Sequence, residues 1–265
     1  MLNFQMMGVI NITPNSFSDA SDPLNPQIFA DILKTFSKAP ILDLGAESTA
    51  PMNSSISYEE ELARFEPYLD QIFASDKIIS IDTYHPETIF FFQNEWKKRS
   101  LKNPLVWNDV SGKWDESVER FLKASGPYSY VFAHNLATTR EQSGRHMEFT
   151  QRELSGTELM NHLEQYFKPY CRENVVLDPC FGFSKTYEQN WFALEHLGEL
   201  QKKLQHNRWL VGISRKSFLR QKYQLTSKLE DREQLDQIHL EEIKRMSREW
   251  VGEIWLRTHR PELTL

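Results

Sequence analysis

Seven polar residues of this chain have the types and placement to build a two-ended ligand site. Asp82, Asn108 and Asp178 are acids and amides that can receive a flat heterocycle rich in N–H donors. Lys216, Arg257 and His259 suit a phosphorylated group, and Asn11 offers a neutral carbonyl oxygen to a phosphate-bound Mg²⁺. Any one of them could be an ordinary turn or cap residue. What they share is position, because each stands at the end of a short apolar run or just beyond it.

The stretch Val175–Thr186 shows the pattern in its densest form. Val175, Val176 and Leu177 have the β-branched, apolar character of a buried parallel strand. Asp178 stands where that strand should end, and Pro179 stops the ladder. Phe181, Gly182 and Phe183 follow, then Lys185. Thr186 with Gln189 three residues on fits a capping box, so Lys185 is expected beside a helix N-terminus, on an anion-friendly rim. The same residues also fit a plain strand–loop–helix connection with an incidental acid.

The elements that must position these groups repeat along the whole chain. Apolar runs occur at Met7–Ile12, Ile41–Leu44, Ile78–Ile81, Leu105–Trp107, Tyr130–Ala133, Val175–Leu177, Trp209–Ile213 and Ile254–Leu256, spaced for a helical crossover each time. Between the second and third runs, Leu62, Phe65, Leu69, Ile72 and Phe73 share one helical face. Before the last, Leu235, Ile238, Ile243, Met246 and Trp250 do the same. Eight such units predict a single (β/α)8 TIM barrel over residues 1–265, in which all strand ends converge on one face. A doubly wound open sheet is the alternative, but no Gly-x-Gly-x-x-Gly follows the first strand. The longest polar connection, Asn135–Leu154, has the length expected of a mobile loop.

Bulk properties narrow the function. A net charge of −6 argues against general nucleic-acid binding but leaves room for an anionic small molecule held by local cations. Cys171 and Cys180 are too few for a disulfide framework or a zinc thiolate cluster. No apolar run reaches the roughly 20 residues of a membrane span. The N-terminus lacks a signal-peptide pattern, so a cytoplasmic protein is expected.

Seven segments, in order, resemble the motifs of the dihydropteroate synthase family. They are Gly8–Asp19, Asp43–Thr49, Ser80–Thr83, Asn108–Gly112, Asp178–Thr186, Gly212–Lys216 and Arg257–His259. The resemblance implies folate biosynthesis: condensation of 6-hydroxymethyl-7,8-dihydropterin pyrophosphate with p-aminobenzoate, giving 7,8-dihydropteroate and pyrophosphate. It places Asp82, Asn108, Asp178 and Lys216 on the pterin, with Asp178, Lys216 and Asp82 as the catalytic set. It puts Asn11 on Mg²⁺ and pyrophosphate, Arg257 and His259 on the phosphates, and Thr49, Pro51, Phe183 and Ser214 around p-aminobenzoate. A homodimer is common in this family, and its first two loops, here about 13–25 and 47–57, close over the reacting centre.

The chain departs from the family pattern mainly in loops. Ala50 and Met52 stand where the family has Arg and Gly, which removes a fixed positive charge from the second loop. The Gly-Gly that usually follows Asp19 is absent, and the stretch after the fifth strand is reduced to Ala133-His134-Asn135. Cys180 and Ser184 replace glycines, and Arg260 replaces an acid. Arg260 is a candidate to restore the lost charge from across the cleft. Two other readings follow from the same residues. One is a pterin-binding paralogue or partner protein without turnover, motivated by Ala50. The other is a methyltetrahydrofolate-dependent methyltransferase, against which Phe-Gly-Phe-Ser-Lys and Ser-Arg-Lys argue.

Overall fold

The computed structural model describes residues 2–13, 26–47 and 55–263. Eight parallel strands close into a barrel in chain order. They are β1 (Leu2–Asn11), β2 (Ile41–Gly45), β3 (Ile78–Asp82), β4 (Leu105–Asp109), β5 (Tyr128–Ala133), β6 (Val175–Asp178), β7 (Arg208–Val211) and β8 (Gly252–Thr258). The helices outside are α1 (Pro26–Thr35), α2 (Tyr58–Phe65), α3 (Leu69–Phe73), α4 (Pro86–Lys98), α5 (Glu116–Lys123), α6 (Gly156–Phe167), α7 (Tyr187–Glu195), α8 (Leu197–Leu204), α9 (Ser217–Tyr223) and α10 (Leu229–Met246). This is the expected (β/α)8 barrel. Among the described residues, no helix is long and apolar enough to cross a membrane.

Two layers inside the barrel explain why the polar residues collect at one end. The lower layer takes one apolar side chain from each strand: Met7, Ile41, Ile78, Val106, Val131, Val176, Leu210 and Trp255. Side chains alternate across a strand, so the next inward positions lie two residues further on. Those are Val9, Asp43, Ser80, Asn108, Ala133, Asp178, Gly212 and Arg257. A polar storey thus rests on an apolar floor. The outward-facing strand residues, among them Leu44, Ile81, Trp107, Phe132, Leu177 and Leu256, pack under the helices in the main core.

Three expectations about the elements need correction. β1 begins at Leu2, well before Met7, because Leu2 to Gly8 pair along β8 from Gly252 to Thr258. Its first residues, Leu2 to Met6, are half-buried or, at Asn3, exposed, so no apolar run marks them. The helical stripe Leu62–Phe73 is two helices separated by a 3-10 turn at Glu66–Tyr68. Pro67 lacks the N–H a continuous helix needs there. Phe65, Ile72 and Phe73 are buried, whereas Leu62 and Leu69 are half-buried. Trp250 lies beyond the end of α10, after a 3-10 turn at Ser247–Glu249, yet it is still buried with the rest of its stripe.

The connection from Asn135 to Leu154 is pinned, not loose. Arg140 is nine-tenths buried and pairs with Asp109 and, at 2.9 Å, with Asp115. Asn135 Nδ2 donates to the Val110 carbonyl at 2.8 Å. The Gln189 amide donates to the carbonyls of Gln151 and Leu154 at 2.7 and 2.8 Å. Its length fits a mobile loop, yet Asn135, Arg140, Ser143 and His146 are buried within it, while residues such as Thr139, Glu148 and Arg152 stay exposed.

Candidate active site

The organising group is Asp43, on the inward face of β2 with no solvent exposure. Its Oδ1 accepts Ser80 Oγ at 2.7 Å and Asn108 Nδ2 at 3.0 Å. Its Oδ2 accepts Arg257 Nε at 2.6 Å, and a terminal nitrogen of the same guanidinium donates to Asp82 Oδ2 at 2.5 Å. Strands β2, β3, β4 and β8 are thereby tied together at the mouth. A carboxylate with no solvent contact needs this many partners to stay charged at acceptable cost. No ligand-binding part was assigned to Asp43 from sequence. The available signal was an acid at an inward position flanked by buried apolar residues in Ile41–Gly45.

Around this network lies a small enclosed pocket lined by Asp82, Asn108, Asp178, Phe183, Lys216 and Arg257, with Val110, Cys180, Phe181, Leu210 and Gly212. All four residues expected to hold the pterin therefore converge. Enclosure raises the Asp82 carboxyl to about 7, with Arg257 opposing the rise and Asp43 adding to it. Enclosure likewise brings Asp178 up to about 6, against the Cys180 N–H that donates to its Oδ1 at 2.7 Å and the charges of Lys216 and Lys185. Lys216 is pushed down by burial, and its Nζ lies 4.6 Å from the centre of the Phe183 ring. Burial drives the Cys180 thiol up to about 12, so it carries no thiolate character.

A second, more open cleft of about 510 Å³ adjoins the first and shares Phe183, Gly212, Lys216 and Arg257 with it. It adds Val9, His146, Met147, Gly182, Ser214, Arg215, Ser217, Arg220 and His259, and no carboxylate among the described residues. The two ends inferred from sequence are both present: acids in the deep pocket, cations in the outer cleft. His259 Nδ1 is 3.0 Å from Ser214 Oγ, so two residues expected to serve different substrates form one pair. Burial, with Arg215 and Arg257 nearby, lowers His259 to about 3, which favours the neutral ring near pH 7. Arg215 is held by Asp236 of α10 through two bonds of 2.9 and 2.6 Å.

Other expected residues fall differently. Asn11 is exposed at the end of β1 and lines neither pocket among the described residues. Thr49, Pro51, Ala50 and Met52 lie outside the described residues. Lys185 is not on a rim: it is buried, with its Nζ 2.8 Å from His134 Nδ1 and 3.1 Å from the Phe183 carbonyl. The capping box of Thr186 and Gln189 is present as expected, but Lys185 turns inward from it. Arg260 pairs with Glu262 and does not reach the cleft. Cys180 and Ser184, which replace glycines, sit at φ 53° and 46°, and Gly182 between them at 87°. The tight turn that glycine favours is kept by residues that strain to adopt it. Ser184 is compensated by bonds from its Oγ to the His146 carbonyl (3.1 Å) and from the Leu136 N–H (3.0 Å). His146, unremarked in the sequence, stands 4.0 Å from Phe183, ring centre to ring centre, and extends the cleft wall.

A family model described as pterin binding enzyme matches residues 7–243. The folate synthesis bifunctional protein of Pisum sativum is 30% identical over 231 residues, which cover 81% of this chain and 43% of that protein. The chain thus spans less than half the length of this curated relative. Dihydropteroate synthase of Escherichia coli is 29% identical over 223 residues, 82% of this chain and 74% of its own. Among solved structures, dihydropteroate synthase from Clostridium difficile, determined in the presence of pteroic acid, superposes with a TM-score of 0.72 at 27% identity. That match covers 98% of this chain and 92% of the other.

Proposed function

This chain belongs to the pterin-binding enzyme family, and we propose that it is a dihydropteroate synthase. It would condense 6-hydroxymethyl-7,8-dihydropterin pyrophosphate with p-aminobenzoate, releasing pyrophosphate. One observation carries the reading: the acid-lined deep pocket opens directly onto a cation-lined cleft, with Lys216, Phe183 and Arg257 common to both.

Asp82, Asn108 and Asp178 receive the N–H groups of the pterin ring, and Lys216 donates to its acceptor atoms. As the bond from the pterin methylene to the pyrophosphate oxygen breaks, the methylene turns positive and the leaving group negative. Asp178, a fixed carboxylate against the ring, favours the first change. Arg257 and His259 favour the second, with His259 gaining a proton as the phosphates approach. The aromatic amine nitrogen then bonds to the methylene and loses its proton to solvent, so no strong base and no covalent intermediate are required. Cys180, buried with a raised pKa, has no part as a nucleophile.

The donor set suits a Mg²⁺ that arrives on the pyrophosphate. Among the described residues no group of three His, Cys, Asp or Glu could hold a metal, and Asn11 supplies one neutral oxygen at the strand end. Bound there, the ion would neutralise charge on the leaving pyrophosphate. The decisive experiment mixes purified protein, both substrates and Mg²⁺, with Asp178→Ala as control. Pyrophosphate release by the native chain, abolished in the variant, is expected. Absence of release over a range of conditions would refute synthase activity, and pterin binding without release would identify a binding protein that has lost turnover.

A further inference from the structure

The outer cleft holds three arginines, and they differ in what balances their charge. Arg215 is locked to Asp236, and Arg257 to Asp43 and Asp82. Arg220, half-buried on α9, has no ion pair and no side-chain hydrogen bond among the described residues. The neighbouring Phe218 and Leu219 are buried and anchor the helix, and the Arg220 N–H bonds back to the Lys216 carbonyl at 3.1 Å. A partly desolvated guanidinium without a counter-charge is costly unless a ligand supplies one.

Resting on the synthase reading, we infer that Arg220 binds the carboxylate of the aminobenzoate substrate, standing in for the charge that Ala50 removes from the second loop. The substrate's own shape sets the direction. Its amine must reach the pterin methylene in the deep pocket, so the carboxylate, para to the amine, points away into the outer cleft. Phe183 lines both spaces and gives the benzene ring a wall to lie along. Arg257 and His259 are taken by the pyrophosphate, and Arg260 is paired with Glu262, which leaves Arg220 for the carboxylate.

Calorimetry with the full chain tests this using three probes: 6-hydroxymethylpterin, its pyrophosphate, and pteroic acid, which carries the benzoate carboxylate. Arg220→Ala should weaken pteroic acid about tenfold, as expected for one charge-assisted hydrogen bond in a partly solvated cleft, and leave the other two unchanged. Arg220→Lys should restore part of the loss by returning the charge. Unchanged pteroic acid affinity in Arg220→Ala overturns the inference, and so does a loss confined to the pyrophosphate probe, which would place Arg220 on the leaving group. If the native chain binds none of the probes, the synthase reading falls, and this inference falls with it. Thermal melting of both variants separates misfolding from lost contact, and Arg220→Gln serves if Arg220→Ala melts early.

Discussion

Replacing Asp43 by asparagine keeps the shape of the central carboxylate and removes its charge. The amide oxygen can still accept from Ser80 Oγ and Asn108 Nδ2, now at 2.7 and 3.0 Å. The amide nitrogen must then face Arg257 Nε, where a 2.6 Å contact now joins donor to acceptor. Breaking a fully buried ion pair costs roughly 3–5 kcal/mol. Arg257 keeps Asp82 and is about a quarter exposed, at 23%, so the lower end applies, about 3 kcal/mol. For a domain of this size each kcal/mol lowers Tm by roughly 2–4 °C, so a fall of about 6–12 °C is expected in Asp43→Asn. Because the destabilisation comes from a charge left without its partner, Arg257→Met in the same background should recover part of it. A double-mutant cycle by urea unfolding should give a coupling energy of about 2 kcal/mol. If the two substitutions add to within about 0.5 kcal/mol, Asp43 does not organise the mouth through Arg257, and the architecture argued here is wrong.

Two further predictions concern stability away from the site. His239 is fully buried, neither ring nitrogen has a partner among the described residues, and burial lowers it to about 4. Between its unfolded value of 6.5 and about 4, the unfolded chain takes up a proton that the folded chain refuses, so stability falls as pH drops through that window. His239→Leu should therefore be neutral or stabilising at pH 7, and should gain a further ~2 kcal/mol over the native chain at pH 5. Urea midpoints at the two pH values check this, and an equal difference at both would contradict it. Gln205, exposed at the end of α8, adopts φ 51° while its N–H bonds to the Gln201 carbonyl. Gln205→Gly should raise the unfolding free energy by about 0.5–1 kcal/mol, because glycine occupies that region without a Cβ penalty. A lower urea midpoint would show that the position is relaxed.

The barrel and its strand-end residues were legible because they obey local rules. Inward positions recur every two residues, so an apolar residue followed two places on by an acid, amide or cation betrays both the strand and its mouth. Asp82, Asn108, Asp178, Lys216 and Arg257 were found more simply, because each stands at the end of an apolar run or just beyond it. What stayed hidden depends on partners distant in the chain. Asp43 and Arg257 are 214 residues apart, and nothing local says that one carboxylate ties four strands together. Lys185 and Arg260 were misplaced for a related reason, since a cation's type does not reveal whether it faces a ligand, a buried histidine or a nearby glutamate. Arg220 was invisible because its distinction is the lack of a partner among the described residues.

The apolar floor beneath the charged storey also shapes the field that an approaching substrate meets. Low-polarisability side chains on one side and solvent on the other push the field of Lys216 and Arg220 outward through the opening, although the chain as a whole is negative at −6. Far away, an anionic substrate is repelled or indifferent. Within about one screening length, roughly 8–10 Å at physiological salt, the local cations dominate and, on the proposed synthase reading, would draw the substrate's phosphates in. Capture is then a short-range affair, governed by the composition of the rim and weakened by added salt, while the bulk surface keeps unrelated polyanions at a distance.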